Sequence, residues 1–113
     1  MLIALDYDGT YTADPDLWQA FIAAARSRSH QVFVVTMRHE FEGDDVMRQL
    51  HGKVDRIVFT ARRAKRPHME FLGHQVQIWI DDRPHWVEND AADASPGAGL
   101  LARHRVPDGE CER

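Results

Sequence analysis

The chain has 113 residues, room for one small domain and not two, and its 43% hydrophobic and 28% charged residues suffice for a core and argue against wholesale disorder. The formal net charge of -4 argues against holding nucleic acid by bulk charge, and a single cysteine, Cys111, leaves neither an internal disulfide nor a cysteine metal cluster. No apolar run approaches the roughly 18 residues of a membrane span, and Asp6 cuts the first apolar run short of signal-peptide length, so a cytoplasmic protein with no membrane partner is expected.

In chain order, Leu2 to Leu5 is a continuous apolar run and predicts a buried strand ending at Asp6. Asp14-Pro15 then supplies an N-cap and a first-turn proline, followed by Leu17, Trp18, Phe21, Ile22 and Ala25 on a predicted core-facing helical stripe. Val32 to Val35 predicts a second strand ending at Thr36, Asp44 to Leu50 a second helix, and Arg56 to Phe59 a third strand ending at Thr60. A helix over Pro67 to Leu72, a strand over Val76 to Ile80 and a helix over Pro84 to Asn89 complete the periodic part. Leu100 to Ala102 is a candidate fifth strand, and residues 106–113 read as a frayed tail beyond a single domain over residues 1–105. Strands alternating with helices imply an α/β fold with a mostly parallel sheet of four or five strands.

In such sheets ligands bind beyond the carboxyl ends of the strands, where Asp6, Thr36, Thr60, Asp81 and Asp82 all fall. Asp6 and Asp8 flank one residue on a loop tightened by Gly9, and offer hard oxygen ligands to a magnesium ion that would in turn hold a phosphate. Arg38, two residues past Thr36, has the fork geometry to grip a phosphate oxygen. Lys65 opens a helix within the basic run Arg62, Arg63, Lys65, Arg66, any of which could neutralise phosphate. The seven histidines show no metal-binding spacing and read as surface residues; Trp18 reads as core, and Trp79 and Trp86 flank the acidic pair.

The order Asp6-Tyr7-Asp8-Gly9-Thr10, Thr36, Lys65, Asp81-Asp82 resembles the haloacid dehalogenase superfamily of phosphohydrolases. The resemblance implies a Rossmann-like three-layer sandwich. It makes Asp6 the nucleophile and Asp8 the general acid and base, with Thr36 and Lys65 on the phosphoryl group. Mg²⁺ would be held by Asp6, Asp8, Asp81 and Asp82. The spacers, residues 9–35 and 37–64, are each consumed by a helix and its loops, which leaves no room for a cap domain.

Ile78 to Val87 and Thr36-Met37-Arg38 are also similar to segments of the 3'-phosphatase domain of polynucleotide kinases. This implies a phosphorylated substrate, a nucleotide or a nucleic-acid end, with the basic run on its backbone. The absence of room for a cap predicts an open site, which a second subunit could cover. The alternative in another class is a non-catalytic phosphate-binding or scaffold domain of the same fold. A receiver domain is excluded because it needs an acceptor Asp after the third strand, where this chain has Thr60.

Overall fold

A computed structural model describes residues 1–94. The candidate strand at Leu100 and the tail at 106–113 lie outside them. Four strands, β1 (Leu2–Leu5), β2 (Gln31–Thr36), β3 (Arg56–Phe59) and β4 (Ile78–Ile80), form one parallel sheet in the order β3-β2-β1-β4. Four helices, α1 (Pro15–Ser27), α2 (Asp44–Leu50), α3 (Lys65–Phe71) and α4 (His85–Glu88), connect or follow them, so the fold is α/β, as the alternation predicts.

Both faces of the sheet are covered, which is why its strands read as continuous apolar runs and not as alternating ones. Ile3, Leu5, Val32, Val34, Ile57 and Phe59 point to one face, where they meet Ile22 and Ala25 of α1 and Val46 and Leu50 of α2. Leu2, Ala4, Phe33, Val35 and Val58 point to the other and meet Met69 of α3. The three-layer sandwich follows from crossover handedness: the chain moves outward from β1 to β2 to β3, then returns across the sheet to β4, and a right-handed return places α3 on the opposite face.

That return makes the gap between β1 and β4 the topological switch point, the place where such sheets open a crevice. Leu5 pairs with Ile80, and the Asp6 N–H donates to the Ile80 carbonyl at 2.9 Å, so Asp6 and the Asp81-Asp82 pair leave the sheet side by side.

Several boundaries differ from expectation. Lys65 opens α3, two residues before the expected start, and Pro67 occupies the first turn, where its missing N–H costs nothing. Strand β4 is shorter than expected: Val76 packs in the core but precedes the ladder. On α1, Leu17, expected on the apolar stripe, is exposed; Trp18, Phe21, Ile22 and Ala25 fill the inward arc, and Leu17 lies about a quarter of a turn from its centre. His68 is buried on α3 instead of lying at the surface, because the helix turns that position toward the sheet with Met69. No helix among the described residues is long and apolar enough to cross a membrane.

Candidate active site

At the β1 end the chain turns sharply through Gly9, whose φ of +81° lies in the region open to glycine. A Cβ at this position would stand 2.4 Å from Asp82 Oδ2, so glycine is also what lets the β4 end close onto the β1 loop. Thr10 ties the two together. Its hydroxyl lies 3.1 Å from both Asp6 Oδ2 and Asp82 Oδ1, and it accepts the Asp82 N–H at 3.1 Å.

Lys65, at the first position of α3 and only 1% exposed, donates to Asp6 Oδ1 at 2.7 Å and to Asp81 Oδ2 at 2.6 Å. Asp81 is fixed from its other oxygen by the Arg83 N–H at 2.9 Å. Two carboxylates are thereby oriented by one buried ammonium. The three arginines of the basic run lie elsewhere: Arg62 turns to Glu42 and Asp93, Arg66 to Glu88, and Arg63 is buried with no hydrogen-bond partner for its Nε among the described residues. Of that run, Lys65 alone reaches Asp6.

Burial pushes the Asp6 carboxyl up to about 7, helped by the charge of Asp81 and opposed by Lys65. The attraction of Lys65 at hydrogen-bond distance does not overcome the loss of water around Asp6. Asp82, in contact with Asp6, is held below the usual carboxylate range, first by accepting a hydrogen bond from Asp6 and then by Thr10. The two acids therefore stand on opposite sides of their ordinary values.

Oxygens of Asp6, Asp81 and Asp82 lie within 4.8 Å of one another, close enough to share one cation. Three carboxylates against one lysine leave a formal excess of two negative charges, which suits a divalent ion with a preference for hard oxygen. Asp8, also expected among the ligands, lines the same cavity but is not one of these three acids. Its carboxylate is gripped by Arg38, with Nε donating to Oδ2 and Nη2 to Oδ1, both at 2.9 Å, and its side chain is 56% exposed. Arg38 thus meets Asp8 where a phosphate contact was expected. Its third nitrogen, Nη1, donates to the Glu42 carbonyl at 2.7 Å, and its guanidinium lies 5.0 Å from the centre of the Tyr7 ring. Thr36 is buried at the β2 end and lines, with Asp6, Asp8, Gly9 and Lys65, a cavity of about 330 Å³.

Sequence reasoning did not single out Thr10 or Trp86 as site residues. Thr10 stands inside the first motif, so its position was visible, but its bridge to Asp82 joins residues 72 apart. Trp86 lines the cavity because α4 follows β4 after one tight turn. No protein-family model, no curated protein and no solved structure matches the chain.

Proposed function

We propose that the chain is a magnesium-dependent phosphomonoester hydrolase of the haloacid dehalogenase type. The observation that supports it most is the Asp6, Asp81 and Asp82 cluster, with Lys65 between two of its members, at the switch point of a parallel sheet. Asp6, Asp81 and Asp82 would hold Mg²⁺, which would supply charge neutralisation to the phosphoryl oxygens and to the attacking carboxylate.

The chain's own residues would divide the remaining work. Lys65 and Thr10 fix the Asp6 carboxylate from both oxygens, which removes the rotational freedom an attacking group must otherwise lose. An Asp6 oxygen forms a bond to phosphorus as the ester oxygen leaves, and Asp8 delivers a proton to that oxygen. Water then attacks phosphorus with Asp8 taking its proton, and the Asp6–phosphorus bond breaks. Thr36, on the cavity wall, and Lys65 would contact the phosphoryl oxygens. Asp8 is mobile enough for its task only if it exchanges the grip of Arg38 for the leaving group, which its exposure permits.

That grip also favours a second reading, a phosphate-binding domain without turnover, since Asp8 is held away from Asp6. Hydrolysis of an aryl phosphate separates the two. Turnover should require Mg²⁺ and fall about a thousandfold or more in Asp6→Asn, which keeps shape and removes the nucleophile. Near wild-type turnover in the folded variant would refute the mechanism; phosphate binding with no turnover in the wild type would favour the second reading.

A further inference from the structure

Beside the catalytic cavity lies a second cleft of about 580 Å³, and the two share Asp8, Met37 and Trp86 along their common wall. A phosphoryl group beside Asp6 would therefore direct the rest of its molecule past Asp8 into this cleft. Its volume falls within the range of small-molecule sites.

The walls restrict what can occupy it. Each nitrogen of both guanidinium groups is already engaged: Arg38 with Asp8 and the Glu42 carbonyl, and Arg62 with Glu42 at 3.0 and 3.1 Å, Asp93 at 3.0 Å and the Met37 carbonyl at 2.8 Å. Asp8, Glu42 and Asp93 thus outnumber the two arginines, and the cleft's own lining carries no surplus cation for a second phosphate. What it offers is the Trp86 indole, with the Arg83 guanidinium 5.2 Å from its ring centre, and carboxylate oxygens able to accept from hydroxyl or amino groups.

We propose that this cleft is the leaving-group subsite and that it takes an uncharged nucleoside, making the substrate a nucleoside monophosphate; the assignment rests on the phosphatase reading above. A flat base stacks on Trp86, and ribose hydroxyls meet the carboxylates. A nucleic-acid end is disfavoured, because its next phosphodiester would enter a cleft where acids are in excess.

Steady-state hydrolysis by the wild-type protein in Mg²⁺ tests this. The KM for adenosine 5'-monophosphate should lie about tenfold below that for glycerol 2-phosphate, and adenosine 3',5'-bisphosphate and a 3'-phosphorylated dinucleotide should show no such advantage. Trp86→Ala should collapse the tenfold ratio toward one. Equal KM values in the wild type, or a preference for the bisphosphate or dinucleotide, would overturn the subsite while leaving the phosphatase reading intact. Calorimetric binding to Asp6→Asn supplies the converse: tighter binding of adenosine 5'-monophosphate than of glycerol 2-phosphate, with no hydrolysis by the wild type, would uphold the subsite and refute the phosphatase. Should Asp6→Asn not fold, binding of adenosine alone to the wild-type protein and its loss in Trp86→Ala give the same comparison; no binding there overturns the subsite.

Discussion

The cavity at Asp6 and the cleft beside it are built from the same charged residue types and pair them differently. Around Asp6, three carboxylates face one buried lysine, with Asp6 buried and Asp82 exposed at the rim. Around Arg62, two guanidinium groups are matched against Asp8, Glu42 and Asp93 with every guanidinium nitrogen engaged, and the Arg62 contact holds Glu42 below the usual carboxylate range. A cluster in which three carboxylates share one ammonium gains from an added cation, whereas a wall whose guanidinium nitrogens are all paired is settled as it stands.

Removing the lysine tests the carboxylate cluster most severely. Lys65→Met leaves Asp6 and Asp81 buried without their shared cation and should cost about 3–5 kcal/mol in denaturant unfolding without metal. Magnesium should restore part of that loss, because a divalent ion replaces the missing charge; a variant as stable as the wild type would mean that the cluster is not strained. Gly9→Ala comes next. It forces a side chain into a left-handed turn and against Asp82, so a loss of about 1–2 kcal/mol and a several-fold higher magnesium requirement are expected in thermal unfolding with and without the ion.

In the paired wall of the cleft the expected effect is smaller. Arg62→Met removes contacts to Glu42, Asp93 and the Met37 carbonyl at a partly exposed position, and should cost about 1 kcal/mol, independent of magnesium. A magnesium-dependent loss would show that the two regions are coupled. The weakest effect is expected far from both, at His74, whose ring meets Phe33 edge-on and whose pKa burial holds below the ordinary 6.5. The unfolded chain takes up a proton that the folded one resists, so this residue costs stability as pH falls below 6.5, and His74→Gln should lessen that fall. Asp6 acts in the opposite sense: between its ordinary 3.8 and about 7 the folded protein keeps a proton that the unfolded chain has lost, so stability falls as pH rises through that window. The His74 effect is therefore read as the difference between the variant and wild-type pH profiles.

The apolar runs of β1, β2 and β3 were legible because a strand covered on both faces must be apolar at every position, and the Asp14-Pro15 start of α1 because its cap is local. So were Asp6 and the Asp81-Asp82 pair, since strand order alone carries them to one edge. Side-chain direction was not legible. Asp8 belongs to the motif by spacing, yet Arg38, 30 residues away, turns its carboxylate outward. Arg62 belongs to a basic run, yet Glu42 and Asp93 claim it. By itself the sequence determined the α/β alternation, the parallel sheet and which strand ends carry acids, because those follow from periodicity and crossover geometry between neighbours in the chain. Only the tertiary structure decided which acid is pushed up and which down, which lysine is buried and which arginines are paired, because charges pair across the fold according to distance and desolvation, and neither is written in spacing along the chain.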